Sequence, residues 1–218
     1  MHQSSVKVTP AMQAKYPHLL LILSVVLVAL LALSGVYAYD RPTWLLEVLP
    51  VMIALPIMWA SYRRFPLTTL LAICILLHAL VLIIGGTYTY ARVPFGFQLA
   101  DFFELSRNPY DKIGHFFQGF VPALVAREIL IRGQYVRGKR MLAFVVICIA
   151  MAISACYELI EWCVAIAIGQ DANAFLGSQG DPWDTQSDMF LALIGATLAL
   201  LVFSRLHDRQ IKNLATHH

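Results

Sequence analysis

Apolar residues run along this chain in six long blocks, at about residues 18–38, 44–62, 67–90, 111–131, 141–168 and 186–205, separated by short polar stretches. Each block approaches the roughly 20 apolar residues that an α-helix needs to cross a hydrocarbon layer about 30 Å thick. The pattern predicts an all-α polytopic membrane bundle of about six transmembrane helices. No internal repeat, low-complexity tract or long linker divides it. Residues 18–205 therefore read as one transmembrane domain, between an amino-terminal tail (1–17) and a carboxy-terminal tail (206–218). In the third loop, "FQLADFFELSRNPY" (97–110) has Phe, Leu and acidic residues spaced as in a short helix lying in the membrane interface.

Composition agrees. Of 218 residues, 59% are hydrophobic and 13% charged, and the mean hydropathy is +0.69. A soluble domain carries about 25% charged residues. The first block follows Lys7 and Lys15 and ends in "SGVYA", in the manner of a secretory signal. Its apolar run is much longer than the roughly 7–15 residues of a signal core, so it reads as a retained helix. The net charge of +3 is mild, and no basic patch with interleaved aromatics points to nucleic acid. Cys74, Cys148, Cys156 and Cys163 all lie inside apolar runs without a Cys-x-x-Cys pair. They read as buried, inert thiols rather than a zinc or disulfide framework.

Basic residues set the expected orientation. Lys7, Lys15, Arg63, Arg64, Arg132, Arg137, Lys139, Arg140, Arg205, Arg209 and Lys212 fall on one side, and Arg41, Arg92, Arg107 and Lys112 on the other. Excess Lys and Arg marks the cytoplasmic side. Both termini are then cytoplasmic, and the loops near 40, 91–110 and 169–185 face outward.

With that topology, three helix ends bring polar side chains to the outer third of the layer. In "YDKIGHFFQGF" a rotation of about 100° per residue puts Asp111, His115, Gln118 and Pro122 in one stripe. In "SACYELIEW" Ser154, Glu158 and Glu161 share a face opposite Cys156 and Cys163, and in "GDPWDTQSD" Asp184 and Asp188 lie one turn apart. Glu158 sits about ten residues from its helix end, or about 15 Å into the layer. An acid at such depth costs about 2.5 kcal/mol or more and almost always faces a cavity or a partner. Carboxylates and a His on facing helices suit a divalent ion such as zinc, manganese or iron. The expected ligands are His115, Glu158, Glu161 and Asp188. Asp111 or Asp184 is the expected general base, and Lys112, Gln118, Gln179 and Asp181 are expected to bind substrate.

Plainer readings stand beside these. Asp181 before Pro182 has the form of an N-cap followed by Pro at the first helical position, with Asp184 as a capping acid. Asp111 can complement the helix dipole, Lys112 can snorkel to head groups, and His115 can be a packing histidine. His78, mid-span, reads as a structural hydrogen-bonding residue, and for Arg127 and Glu128 a local ion pair or snorkelling is enough. Glu47 either joins the site or pairs with Arg41. The polar loop 169–184 offers backbone donors but does not fit calcium-loop spacing at Phe175 and Gly177. Gly85, Gly86 and Gly195 permit close helix packing within or between chains, which leaves the oligomeric state open. No His-Glu-x-x-His, Ser-His-Asp set or phosphate loop occurs.

The blocks "RNPYDKIGHFFQGFVPALVAREIL", "YELIEW" and "GSQGDPWDTQSDMFLALIG" resemble the YjdF-type family of bacterial inner-membrane proteins, through about residues 45–205. The resemblance implies inner-membrane location and a shared site at Asp111, His115, Gln118, Glu158, Glu161, Gln179, Gly180, Asp181, Asp184 and Asp188. It carries no activity with it. Asp-Lys-x-x-His at a helix start is also distantly similar to VanZ-like membrane proteins, whose later acidic positions differ, so glycopeptide binding does not transfer. Three functions follow in order. The first is a metal-dependent hydrolase or transferase acting on a membrane lipid or lipid-linked substrate that enters sideways. The second is a non-catalytic binding or scaffold protein, in which the acids set helix register. The third is a proton-coupled transporter, disfavoured by the missing inverted repeat and the apolar look of the cytoplasmic half.

Overall fold

A computed structural model of the chain describes residues 10–168 and 179–216. These form seven α-helices and no strand: α1 Pro10–Tyr37, α2 Arg41–Ser61, α3 Thr69–Tyr88, α4 Pro94–Phe102, α5 Tyr110–Arg132, α6 Lys139–Ile168 and α7 Asp184–Thr216. A 3-10 turn, Tyr90–Arg92, precedes α4. Each apolar block coincides with one long helix.

Four helices (α2, α3, α6 and α7) are long and apolar enough to cross a membrane, and the described apolar part of α1, Leu21–Tyr37, is shorter. The fourth block behaves differently. Asp111, Lys112, His115, Gln118, Arg127, Glu128 and Arg132 make α5 too polar to qualify on composition. In the fold, α5 lies at the centre against α3, α6 and α7, and most of it is buried. Polar groups on a helix are tolerable in an apolar layer when they face protein rather than lipid. The outward faces of the surrounding helices carry Val25, Ile53, Phe144 and Leu201, all exposed.

The tightest crossing is that of α5 with α7. A Cβ on Gly119 would lie 1.8 Å from the Ala192 carbonyl oxygen, and one on Gly195 2.1 Å from that of Phe116. Small residues here let the two backbones touch, as in membrane helix pairs generally. Gly195 thus packs within the chain, and so do Gly85 and Gly86, against Tyr90 and against Trp44 and Val48. Trp44 and Trp59 of α2 tie that helix to α1 by donating to Ser34 and Ser24, each at 2.9 Å.

Three elements depart from the expected pattern. The third-loop helix covers Pro94–Phe102 rather than 97–110, because Glu104, at φ 53, closes it with Leu105 N–H donating back to the Ala100 carbonyl. Phe95, Phe97, Phe102 and Phe103 of that segment are exposed. α7 continues past residue 205 to Thr216 and buries His207 and Ile211. Cys74 is buried as expected, but Cys148, Cys156 and Cys163 are exposed on α6, whose apolar face turns outward.

The other end of the bundle is not apolar. Glu128 is fully buried and accepts from Thr68 N–H and hydroxyl, from Arg132 at 2.8 Å and from His207 at 2.9 Å. With Gln210, which accepts from Leu70 N–H at 2.8 Å, it satisfies the free amides that open α3. Arg127 turns the other way and pairs with Asp208 at 2.6 Å. Adjacent residues of a helix do not face one another, so the local ion pair of Glu128 is with Arg132, one turn on. An apolar core including Leu71, Phe120, Leu124 and Val146 separates this layer from the polar end described next. Glu128→Ala strands buried cationic and amide donors, so it is expected to cost about 3–5 kcal/mol. A lowered thermal midpoint in detergent would show this, and an unchanged midpoint would deny the cluster its structural role.

Candidate functional site

The stripe on the amino-terminal half of α5 faces a cavity. Asp111, His115, Gln118 and Pro122 all line it, with a volume of about 110 Å³. The other walls are Glu47 and Pro50 of α2, His78 and Leu82 of α3, Tyr90, and Ile153, Tyr157 and Glu161 of α6. Tyr90 is placed by backbone strain and by two glycines. Thr89, at φ 55, ends α3 in a region that β-branched residues rarely adopt. The Tyr90 ring then lies so close to Gly85 and Gly114 that a Cβ there would be 2.5 and 2.7 Å from it. Burial, and next the Glu47 carboxylate, push the Tyr90 hydroxyl well above its ordinary value, so it stays a neutral donor.

His115 is the focus. Its Nε2 lies 3.4 Å from Asp111 Oδ1 and 3.7 Å from Asp188 Oδ2, and its Nδ1 lies 3.7 Å from Glu158 Oε1. Nδ1 is also 3.1 Å from Gln118 Oε1. An amide oxygen only accepts, so this contact places a proton on Nδ1. Nε2 then faces two carboxylates from helices α5 and α7. Asp111, His115 and Asp188 are all buried and offer ligand atoms within 4.8 Å of one another, an arrangement able to hold a metal ion. Two carboxylates and an imidazole suit zinc, manganese or iron. Gln118 is the outer partner that such a histidine normally has. Glu158 stands beside this group, buried, with an Oε1 that finds no hydrogen-bond donor among the described residues.

The cationic groups face away from the cavity. Lys112 Nζ donates to Asp188 at 2.6 Å, Ser187 at 2.6 Å and Asp184 at 2.9 Å. Arg107 bridges Asp184 and Asp181, each at 2.8 Å. Asp181 also accepts from Trp183 N–H. α7 starts at Asp184, so Pro182 sits in a turn ahead of the helix instead of at its first position. Gln179 exchanges two hydrogen bonds with the backbone of Asn108, at 3.0 and 3.1 Å. Asn108 in turn accepts from Tyr110 N–H and donates to the Val93 carbonyl. Together these contacts lock the segment before α5 to the start of α7.

The stripes on α5, α6 and α7 thus meet, but the grouping differs from the expected one. Asp111 joins His115 and Asp188, Glu158 adjoins them, and Glu161 lies on the cavity wall. Asp184, Asp181, Gln179 and Lys112 form a clamp beside the cavity. Arg107, Asn108, Tyr90 and Glu47 complete the site, and sequence reasoning gave the first three no role in it. "RNP" at a helix entrance was the available signal for two of them. Glu47 lines the cavity and has no ion pair with Arg41. His78 makes no hydrogen bond from Nε2; it stacks on Phe117 at 6.1 Å between ring centres and lines the same cavity. Residues 169–178 of the loop before α7, offered above as backbone donors, lie outside the described residues.

The sequence model of a family described as "Predicted membrane protein (DUF2238)" matches residues 19–209. Inner membrane protein YjdF of Escherichia coli (strain K12) is 59% identical over 186 residues, covering 85% of this chain and 89% of that protein. No solved structure matches the chain.

Proposed function

The chain belongs to this DUF2238 family of predicted membrane proteins, and from that premise we propose that it is an inner-membrane hydrolase or transferase, dependent on a divalent metal and acting on a lipid or lipid-linked substrate. In this reading α1 and α5 cross the layer with the four longer apolar helices, both termini are cytoplasmic, and the cavity opens on the outer side. Basic residues on the expected cytoplasmic side support the orientation.

The observation that carries the proposal is His115 Nε2 facing Asp111 and Asp188 with Nδ1 held by Gln118. Two buried carboxylates around one imidazole nitrogen, with Lys112 on the other oxygen of Asp188, form a donor set able to hold a divalent ion. A divalent ion there would lower the pKa of bound water or polarise a carbonyl or phosphoryl oxygen. The protein side of the chemistry is divided among its own groups. Gln118 fixes the histidine tautomer, and Lys112 orients Asp188. Asp184 is neutralised by Arg107 and Lys112, which removes it as a base. Asp111 is used as a ligand. Proton transfer then falls to Glu158, whose Oε1 is free and adjacent to His115.

The test is a screen of lipid and lipid-linked esters and phosphates with the purified full chain. Turnover is expected to vanish on chelation, and to fall about 10²–10⁴-fold in Glu158→Gln with its metal retained. Turnover indifferent to both treatments would overturn the assignment. A chain that binds no ion and only loses stability on each substitution is the scaffold of the second reading. The apolar core between the two polar layers gives the transporter reading no continuous path among the described residues.

A further inference from the structure

The cavity reaches the outside of the bundle through its flank. α2 and α6 form facing walls, joined by the Tyr157 hydroxyl, which donates to the Leu46 carbonyl at 3.3 Å. Ile153 lines the cavity and is also 40% exposed, so cavity wall and outer face are one surface there. Ile153 lies about 20 Å along α6 from its carboxy-terminal end, deep in the apolar layer. Glu161 and Glu47, on the two sides of the gap, lie only about 10 Å from their helix ends.

This opening is ordered by polarity along its depth. Near the helix ends it presents two carboxylates with Leu82 at the same level, and deeper it presents Pro50 and Ile153. Neither Glu47 nor Glu161 has an ion pair among the described residues. The nearby cations, Lys112 and Arg107, already serve Asp181, Asp184 and Asp188. Half-buried acids without an ion pair either keep their protons or take a cation from an incoming ligand. A group that arrives from the bilayer brings an apolar chain with it. A primary ammonium can donate to both carboxylates at once and fits a cavity of about 110 Å³ better than a trimethylated one.

We propose that the gap between α2 and α6 is a lateral entrance by which the cavity takes in a lipid of the phosphatidylethanolamine class, its ammonium between Glu47 and Glu161 and a chain along Pro50, Leu82 and Ile153. This rests on the lipid reading above and narrows it to a head group and a route. Tyr157 is the latch across the entrance.

The experiment is native mass spectrometry of the full chain equilibrated with phosphatidylethanolamine, phosphatidylcholine and phosphatidylglycerol, with metal content measured on the same samples. The wild type is expected to retain phosphatidylethanolamine about tenfold over phosphatidylglycerol, because like charges at a binding surface are strongly disfavoured. Glu47→Gln with Glu161→Gln removes that preference, and Ile153→Trp reduces retention of all three lipids. Ile153→Phe replaces the Trp variant if thermal melting shows that variant misfolded. Equal retention by the wild type, a preference that survives the double substitution, or retention indifferent to bulk at Ile153 overturns the entrance. Metal-free protein that still selects phosphatidylethanolamine supports the entrance and overturns the metal reading alone. Metal-loaded protein without selectivity does the reverse.

Discussion

Purified from cells or reconstituted, the chain is expected to hold about one equivalent of zinc, manganese or iron, and His115→Ala to lose it. The reason is geometric. Asp111 and His115 lie one turn apart on α5, and Asp188 reaches them from α7, with all three buried. Without an ion, His115→Ala leaves two carboxylates facing a void. Substituting the outer partner of a ligand weakens metal affinity about 10–100-fold. Gln118→Ala is expected in that range, and His115→Ala beyond it. Binding should also weaken as pH falls, since each ligand must shed its proton to bind. Elemental analysis beside a thermal melt reads both variants. Wild-type protein that stays metal-free at excess ion would sink the metal site. Asp111, His115 and Asp188 would then be a proton-sharing cluster around an imidazolium.

The second large effect is expected at Gly119. A methyl group there would meet the Ala192 carbonyl oxygen at 1.8 Å, and one at Gly195 would meet that of Phe116 at 2.1 Å. Overpacking a yielding core costs about 1–3 kcal/mol. Here the obstacle is backbone, which cannot swing aside, so even Gly119→Ala should exceed that range. Separating α5 from α7 also pulls Asp188 from His115. Loss of metal and loss of thermal stability should therefore appear together. Leu201→Ala, at a position 76% exposed on the same α7, is the control and should change neither. A Gly119→Ala protein with wild-type melting and metal content would show that the two helices are not held this closely.

Much of the architecture was legible because the signals are local. A run of about 20 apolar residues has few stable outcomes other than a helix in a membrane. A helix of fixed period puts Asp111, His115 and Gln118 on one face whatever surrounds them. The same arithmetic placed Ser154 and Glu158 opposite Cys156 and Cys163, and the structure buries the first pair and exposes the second. The family followed from the same three blocks.

What periodicity does not carry is distance between helices. Asp111 lies 3.4 Å from His115 Nε2, whereas Glu158 approaches Nδ1 from the other side. Both are acids near the same histidine, and only the crossing of α5 with α6 and α7 separates ligand from neighbour. "RNP" marked a helix entrance, but not that Arg107 and Asn108 would reach Asp184 and Gln179, more than 70 positions away in the chain. Glu128 has the local ion pair that its position suggested, with Arg132, while its bonds to Thr68 and His207 depend on how α5 meets α3 and α7. The sequence by itself determined the long helices and which of their faces are polar, because those depend on local rotation and on the exclusion of bare polar groups from lipid. Only the tertiary structure decided which polar faces meet, because that depends on where glycines let two backbones touch and where α2 and α6 leave a gap.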